Sequence, residues 1–293
     1  MDETEIGVLV AVGPDGIGDG ALEVAASEAM RLGVGVGLLH VAHRLVVPVP
    51  SQLEPEQALE RELTRVGREV LTEAADRVRV LVEGRVPVTA EIVDGSAART
   101  IVERGREMRL VVLEAREIGA VGRLVTRSVS THVAAHARVP VLVVPPSWPV
   151  AVGTDLPVTV GVDEPMDAKH QVVEALELAR DTGHQLVVLH AIWIAEPYQG
   201  AAFASYPRKQ WVDDTRRELE TALGDVTTAE DSVTCDVHWA RPVEALVRAT
   251  QRSSVLVLNR RPAARPLAAH LGPITRAVLH HAECPVLVVD RGR

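Results

Sequence analysis

The sequence predicts an α/β protein built from two doubly wound, parallel, five-stranded sheets. Apolar runs of strand length alternate along the chain with segments of helical periodicity, which is the pattern of parallel sheets with helical crossovers. A strand–loop–helix–strand unit occurs twice, at residues 110–146 and 255–291, and the copies align without a gap on Pro140 and Pro285. Since repeats of this length are duplicated domains rather than solenoid units, each half is expected to form its own sheet.

The first half contains five continuous apolar runs, as expected for strands buried on both faces of a sheet. Between them lie segments with apolar residues every three to four positions, which are typical of amphipathic helices. The predicted strands cover residues 6–12, 35–41, 87–93, 110–113 and 140–144. The predicted helices cover residues 20–32, 55–82, 97–108 and 126–137.

The second half repeats this order after a segment rich in proline and glycine. His40 in the second predicted strand of the first half corresponds to His190 in the second predicted strand of the second half, so these two strands can be aligned with each other. The predicted strands cover residues 158–162, 185–191, 232–239, 255–258 and 286–289, with helices over 168–182, 209–223 and 242–251 and an aromatic-rich loop over 193–208. We therefore divide the chain into a domain at 1–146, a linker at 147–157 and a domain at 158–293.

Each domain is expected to have the strand order 3-2-1-4-5, with right-handed crossovers. The last strands, 141–144 and 286–289, are short, apolar and at a sheet edge, and such an edge is a template for pairing. Antiparallel pairing of these two strands would join the halves into an internal pseudo-dimer. The same features allow two chains to form a homodimer.

Composition excludes several classes of function. The formal net charge is -9, whereas a nucleic-acid-binding surface needs a surplus of lysine and arginine. The two cysteines show no metal-ligand spacing, and no cluster of histidine, cysteine and aspartate predicts a metal site. The N-terminal apolar run is short and follows acidic residues, unlike a signal peptide, and no run approaches the ~20 residues of a membrane span. These features predict a cytoplasmic protein without a membrane or nucleic-acid partner.

The predicted topology also locates a ligand site. In doubly wound sheets, ligands bind beyond the carboxyl ends of the strands where the strand order reverses. With the order 3-2-1-4-5, this point lies between the first and fourth strands of each domain. It brings Gly13 near Leu113 in the first half, and Asp163 near Leu258 in the second.

Several short motifs resemble the universal stress protein family in a tandem, two-domain arrangement. They are the first strands VLVAV and VTVGVD, the second strands LLHVA and VLHAI, and the endings HARVPVLVVP and HAECPVLVVD. The resemblance implies a stress-response regulator or sensor. It also implies a Gly-x-x-Gly-x9-Gly-Ser/Thr pattern after the fourth strand in those members that bind ATP. There the glycines let backbone N–H groups approach the phosphates, and the following helix N-terminus adds its dipole.

The first half departs from this pattern, because its three glycine positions fall on Glu114, Glu117 and Arg127. Carboxylates beside a triphosphate would repel it by roughly 1 kcal/mol or more each. The position of the family's first-strand aspartate falls on Gly13, although Asp15 is close enough in sequence to substitute. We therefore expect only a weaker site in this half, formed by Gly13, Val41, Leu113, Ser128, Val129 and Ser130.

Two interpretations of the first-half loop remain open. Ser128 and Ser130 either bind an anion at a helix N-terminus or cap that helix. Arg123 and Arg127 either face a ligand or pair with Glu114 and Glu117, which would give a loop that satisfies its own charges.

The second half retains more of the pattern. Its glycine positions fall on Asn259, Pro262 and Gly272, Pro273 replaces the serine, and Asp163 ends the first strand as in ATP-binding members. Proline suits the first helical turn but removes one N–H donor. The residues that we expect to bind an adenine nucleotide, ATP or another, are Val162, Asp163, Glu164, Ala191, Leu258, Asn259, Arg260, Gly272, Ile274 and Thr275.

Each group in this second site also has an alternative interpretation. Asp163 and Glu164 either orient a ligand or form a polar turn. The arginines Arg260, Arg261 and Arg265 either clamp a phosphate or belong to a solvated loop. The aromatic segment 193–211 is either a lid that contacts the ligand or a packed loop.

No residue pattern points to catalysis, since the sequence has neither a nucleophile elbow nor a Walker-type phosphate loop. The leading hypothesis is a regulator or sensor that binds an adenine nucleotide in the C-terminal domain. The alternative is a scaffold that acts through protein contacts without a nucleotide, and a weaker one is a slow ATPase or a binder of another small molecule.

Overall fold

A computed structural model describes residues 5–42, 53–115, 129–149, 155–165, 169–260 and 271–290. The chain divides into two compact units, Met1–Val150 and Ala151–Arg293. The division falls inside the segment 147–157 that the sequence marks as a linker.

The first unit contains a five-stranded parallel sheet. Its strands are β1 (Ile6–Val12), β2 (Gly35–Ala42), β3 (Val88–Asp94), β4 (Leu110–Glu114) and β5 (Val141–Val144). The pairing order is β3-β2-β1-β4-β5, and every one of these pairs is parallel. The helices are α1 (Asp19–Leu32), α2 (Leu53–Val82), α3 (Ala97–Arg104) and α4 (Val129–His136).

The second unit repeats this architecture. Its strands are β6 (Val158–Val162), β7 (Leu186–Ile192), β8 (Val233–Trp239), β9 (Val255–Asn259) and β10 (Val286–Val289). They pair in the order β10-β9-β6-β7-β8, again all parallel. The helices are α5 (Lys169–Thr182), α6 (Glu196–Ser205), α7 (Arg208–Leu223), α8 (Pro242–Thr250) and α9 (Pro273–His281). The predicted fold class and the order 3-2-1-4-5 are thus confirmed in both units.

Two predicted elements are wrong in part. The segment 193–208 was expected to be a loop, but it contains α6, with Pro197 in the first turn. Proline is tolerated there because the first helical N–H groups have no partner within the helix, so it did not mark a break. The helix expected over 97–108 ends at Arg104 and continues as a short 3-10 turn, Gly105–Glu107. The first three residues of the helix expected over 126–137 lie outside the described residues.

A duplicated histidine contact ties the first two strands of each unit together. His40 Nδ1 lies 3.0 Å from the carbonyl oxygen of Val12, and His190 Nδ1 lies 3.1 Å from that of Val162. Because a carbonyl oxygen only accepts hydrogen bonds, Nδ1 carries the proton in both contacts. Gly67 of α2 packs on the first imidazole, where a Cβ would lie only 2.7 Å from His40 Nε2. The contacts fix the carboxyl ends of β1 and β6, where the topology places the sites.

One core cluster of the second unit lies between the sheet and helices α5 and α7. It is built from buried aliphatic residues of the central strands together with apolar residues of these helices, among them Val160, Val172, Leu176 and Leu219. Within the described ranges, no helix is both long and apolar enough to cross a membrane. The pairing of strands 141–144 and 286–289 with each other stays a prediction.

Candidate functional site

A cleft opens in the second unit beyond the carboxyl ends of β6, β7 and β9, next to the N-terminus of α9. All ten residues that the sequence predicts for the second site line it: Val162, Asp163, Glu164, Ala191, Leu258, Asn259, Arg260, Gly272, Ile274 and Thr275. Six further residues complete the described lining: Gly161, Gln171, Leu189, Pro242, Leu246 and Pro273. The strand order explains this convergence, since β6 lies between β7 and β9.

One wall of the cleft is apolar. Leu246 of α8 and Leu258 of β9 close over Gly161, where a Cβ would lie 2.6 Å from the first and 2.8 Å from the second side chain. Because glycine has no Cβ, both leucine side chains can lie directly against the strand at this position. Together with Leu189 and Pro242, these side chains form an apolar slot in the lining of the cleft. Sequence reasoning missed Leu246 and Pro242 because they lie on a helix whose apolar positions indicated only packing.

The end of β6 carries two carboxylates. Asp163 and Glu164 follow the strand directly, line the cleft and are exposed to solvent. Gln171, in the first turns of α5, is buried, and its Nε2 donates a hydrogen bond of 3.3 Å to the carbonyl oxygen of Gly161. The hydrogen bond from Gln171 therefore holds the end of β6 to α5, and the two carboxylates lie at the solvent-exposed rim of the cleft.

The N-terminus of α9 forms the opposite side of the cleft. Gly272 is the N-cap, Pro273 occupies the first turn, and no described side chain caps the helix. The first backbone hydrogen bond of this helix runs from Arg276 N to Gly272 O at 3.0 Å. An α-helix leaves its first N–H groups without internal acceptors, so Ile274 and Thr275 each present one donor here. Such a terminus favours an anion.

Arg260 has a partner that the sequence did not reveal. Its side chain is 5% exposed, and Nη1 lies 2.7 Å from Asp290 Oδ1. Nη2 lies 3.4 Å from the carbonyl oxygen of Val288. The guanidinium thus holds the ends of β9 and β10 together. Arg260 is therefore not part of a solvated loop, and its guanidinium already has a carboxylate partner within the chain. Asp290 comes 30 residues later in the chain, and nothing in the local pattern connects the two. Arg261, Pro262 and Arg265 lie outside the described residues.

Asn259 ends β9 and is one of the residues that line the cleft. Its Oδ1 is buried, and no donor in the described part of the chain lies within hydrogen-bond distance of it. Most buried polar atoms in proteins have a protein or water partner, so this oxygen is an exception that needs an explanation.

The weaker site predicted in the first unit is only partly described. Gly13 and Gly16 exchange two backbone hydrogen bonds of 3.1 Å, which closes the turn after β1. Val41 lies on β2 and Leu113 on β4, where it pairs with Ala11 of β1. Of the serine motif, Val129 is 37% exposed and Ser130 is buried at the start of α4, and Ser128 lies outside the described residues.

The structure shows what Glu114 does in this unit. Its Oε1 accepts a hydrogen bond of 2.9 Å from the backbone N–H of Gly18, the N-cap of α1. Arg77 of α2 also holds this loop, through an ion pair with Asp19 and a hydrogen bond of 3.4 Å to the carbonyl oxygen of Ile17. Glu117, Arg123 and Arg127 lie outside the described residues, so their pairing stays a prediction.

The aromatic segment 193–211 separates into packed and exposed parts. Trp211 meets Tyr206 and Trp239 edge to face, at centroid distances of 5.8 and 6.1 Å. Trp193 is 39% exposed and Tyr198 is 69% exposed. The described lining of the cleft includes no aromatic side chain, which favours a packed segment over a lid.

Metal ligation has no visible basis in the part of the chain that the structure describes. There, no three histidine, cysteine, aspartate or glutamate side chains lie close enough together to hold an ion.

Comparisons with a family model and with related proteins agree on one family. The model of the universal stress protein family matches residues 7–145 and 157–290. A universal stress protein of Mycolicibacterium smegmatis is 28% identical over 295 residues, which cover 98% of this chain and 97% of the relative.

Solved structures agree on the fold. A universal stress protein from Archaeoglobus fulgidus superposes with a TM-score of 0.70 at 18% identity, over 97% of this chain and 96% of that one. A shorter universal stress protein in complex with cAMP covers 49% of this chain and 98% of its own, at 23% identity and a TM-score of 0.35. Because the family model matches both halves, the chain belongs to the universal stress protein family.

Proposed function

We propose that this protein is a stress-response regulator or sensor that binds an adenine nucleotide in the cleft of its second unit. The observation that supports the proposal is the meeting of three features in one cleft. They are the apolar slot beside Leu246 and Leu258, the carboxylates of Asp163 and Glu164, and the N-terminus of α9. An adenine nucleotide has three parts that match them: a base for the apolar slot, ribose hydroxyls for the carboxylates and a phosphate for the helix N-terminus.

The strand order suggests how the ligand would lie. The N-terminus of α9 and β9 are at one side of the cleft, β6 is central, and β7 is at the other side. The phosphate would accept hydrogen bonds from the N–H groups of Ile274 and Thr275. Ribose hydroxyls would donate to Asp163, and the base would enter the apolar slot towards Ala191.

The charges of the cleft favour a nucleotide with few phosphate groups. Among the described lining residues, Asp163 and Glu164 are negative and Arg260 is the sole cation, already paired with Asp290. Each further phosphate charge near a carboxylate costs about 1 kcal/mol at 4 Å even in bulk water. In the absence of Mg²⁺ we therefore expect affinity to fall from AMP to ADP to ATP.

Thermal shift measurements with AMP, ADP, ATP and cyclic AMP test the proposal. The wild type should be stabilised by millimolar AMP, and Asp163→Ala should lose most of that shift. Asp155→Ala is the matched control, since Asp155 is also exposed but lies before the opposite end of β6. An equal loss in both variants, or no shift in the wild type, would contradict the proposal.

A scaffold without a nucleotide is the second candidate. The observation that favours it is confined to the first unit, where Glu114 binds the chain's own backbone at Gly18. No shift with any nucleotide at millimolar concentration would support it. Release of phosphate from ATP over time would instead indicate the slow ATPase.

A homodimer stays a prediction from the apolar edge strands. Light scattering at micromolar concentration distinguishes it from a single chain of 31.5 kDa.

A further inference from the structure

The first helix of each unit carries a different residue at its third position. Helices α1 and α5 each contain 14 residues and end before a glycine with positive φ, Gly33 or Gly183. The third residue of the helix is Ala21 in the first unit and Gln171 in the second. Both side chains are buried, with exposed fractions of 1% and 4%. The second unit therefore holds a long polar side chain where the first unit has only a methyl group.

The neighbouring strands also differ between the units. In the first unit, β1 and β4 stay paired as far as Ala11 and Leu113. The equivalent residues of the second unit are Gly161 and Leu258, but there the pairing of β6 with β9 ends one residue earlier, at Val160. Gly161 and Leu258 both belong to the lining of the cleft. The carboxyl ends of β6 and β9 thus separate earlier than those of β1 and β4, and the cleft reaches Gly161.

The side-chain amide of Gln171 has a fixed orientation. Its Nε2 donates a hydrogen bond of 3.3 Å to the carbonyl oxygen of Gly161. Because a carbonyl oxygen only accepts hydrogen bonds, the amide cannot turn around without losing this bond. Oε1 is therefore the outer atom of the amide, and no described residue donates a hydrogen bond to it.

This oxygen has accessible surface in the cleft. Within the described residues, the side-chain polar atoms that lack both a partner and accessible surface belong to His184, Trp211 and Asn259. Oε1 of Gln171 is not among them, and Gln171 belongs to the lining of the cleft. The small exposed part of this side chain therefore faces the cleft, where its oxygen can accept a hydrogen bond from a ligand.

The depth of Gln171 identifies the part of a nucleotide that it meets. Asp163 and Glu164 are exposed at the rim, where the sugar lies in the proposed binding mode. Gln171 is buried and binds Gly161, the residue against which the apolar slot is built. The base occupies this slot. An adenine joined to a sugar has one N–H donor group, its 6-amino group, and its remaining ring nitrogens only accept.

We propose that Gln171 selects the base of the bound nucleotide, with Oε1 accepting a hydrogen bond from the 6-amino group of adenine. This inference rests on the proposed nucleotide function. Because the bond to Gly161 fixes the amide, Oε1 always presents an acceptor, and a base without a donor at this place leaves it unpaired. The second unit thereby gains a preference for 6-aminopurines that the methyl group of Ala21 cannot give the first.

Calorimetry with AMP and purine riboside 5′-monophosphate tests the assignment, because the two probes differ only in the 6-amino group. For the wild type we expect the probe without this group to bind about tenfold more weakly, the loss that an ordinary hydrogen bond carries. Gln171→Met retains the length of the side chain but not its polar atoms. This variant should bind both probes within about twofold of each other.

Gln185→Met is the matched control. Gln185 is exposed and lies before the amino end of β7, and its Nε2 donates to Thr234 Oγ1 at 2.8 Å. This variant should retain the tenfold preference of the wild type. Thermal midpoints without ligand show whether each variant is folded.

Isotope labelling of the ligand gives a second measurement on the unaltered protein. AMP with 15N in its 6-amino group yields a selective NMR signal for the two amino protons. A hydrogen bond to Oε1 should move one of these protons downfield in the complex with the wild type. The same proton should stay near its position in free AMP when Gln171→Met binds the ligand.

The outcomes separate the two claims. If AMP does not bind the wild type, the proposed function itself is wrong. If the wild type binds both probes equally, Oε1 does not meet the amino group, and the inference is overturned. A tenfold preference that persists in Gln171→Met also overturns it, even if both probes bind more weakly, because Gln171 then only shapes the cleft.

Discussion

The carboxylate of Glu114 lies 2.9 Å from the backbone nitrogen of Gly18 and accepts its hydrogen bond. Gly18 is the N-cap of α1, so the carboxylate places a negative charge at a helix N-terminus, where the dipole favours it. The contact joins the end of β4 to the start of α1 across the first unit's predicted site. The residue that the sequence predicts to repel a phosphate thus has a structural role of its own.

Glu114→Ala should lower the free energy of unfolding by about 1–2 kcal/mol, near the lower end of the range for a hydrogen bond to a charged group, because Glu114 is only half-buried. Glu114→Gln, which keeps an acceptor but not the charge, should lose less. Urea denaturation followed by circular dichroism measures both. Glu103→Ala is the control, since Glu103 is exposed on α3. Equal stability of Glu114→Ala and the control would show that the contact contributes nothing.

The sequence predicts the strands well because buried parallel strands are continuous apolar runs. It also predicts the cleft, since the position of Asp163 and Asn259 follows from the topology alone. Helix α6 was missed because its proline resembles a loop signal. The pairing of Arg260 with Asp290 was missed because no periodicity links residues on different strands. The lack of a donor for Asn259 Oδ1 among the described residues was also missed, because it depends on the three-dimensional arrangement of distant segments.

Asp290→Ala should lower the free energy of unfolding by about 1–2 kcal/mol. Removing one partner of a fully buried ion pair costs more, but Asp290 is 58% exposed, so water and solvent screening reduce the loss. Asp290→Asn retains an acceptor for the guanidinium and should lose less. Urea denaturation again measures the change, with Asp155→Ala as an exposed control.

Asp290→Ala also tests whether Arg260 has only a structural role. If the guanidinium only holds β9 to β10, AMP affinity in Asp290→Ala should stay within about twofold of the wild type. An increase of tenfold or more would show that Arg260, once released, binds the phosphate, and would contradict the structural role.

Acid stability should depend on Asp231. Arg180 Nε and Nη2 lie 2.7 and 2.6 Å from its two oxygens, and the backbone N–H of Thr228 donates at 2.7 Å. The hydrogen bonds from Arg180, and then those from Thr228, hold the pKa of Asp231 well below its usual range. Because the folded pKa is below the unfolded value of about 3.9, the stabilisation is complete at neutral pH and is lost as the pH falls below about 4.

Asp231→Asn should therefore melt at a lower temperature than the wild type at pH 7, and the difference should shrink as the pH falls from about 5 to 2. Calorimetric midpoints across this range measure it, with Asp155→Asn as a control at an exposed site. A difference that stays constant with pH would show that the charge of Asp231 does not contribute.

The two thiols should be unreactive in the folded chain. Burial raises the pKa of Cys235 to about 11 and that of Cys284 to about 12, chiefly because a thiolate loses its hydration there. Since the thiolate is the nucleophile, its fraction at pH 8 falls about tenfold for each unit of pKa. Cys235 should react with iodoacetamide about 100-fold more slowly than in the unfolded chain, and Cys284 should react more slowly still because it is fully buried.

Peptide mass spectrometry after timed alkylation measures each site separately, and 8 M urea supplies the unfolded reference. Cys235→Ser and Cys284→Ser confirm the assignment of the labelled peptides. Cys284 is separated from the start of β10 by Pro285, and its Sγ donates to the carbonyl oxygen of Pro285 at 3.4 Å. Its labelling therefore requires the end of β10 to open. Rapid labelling of Cys284 in the native protein would show that this strand opens far more often than its burial implies.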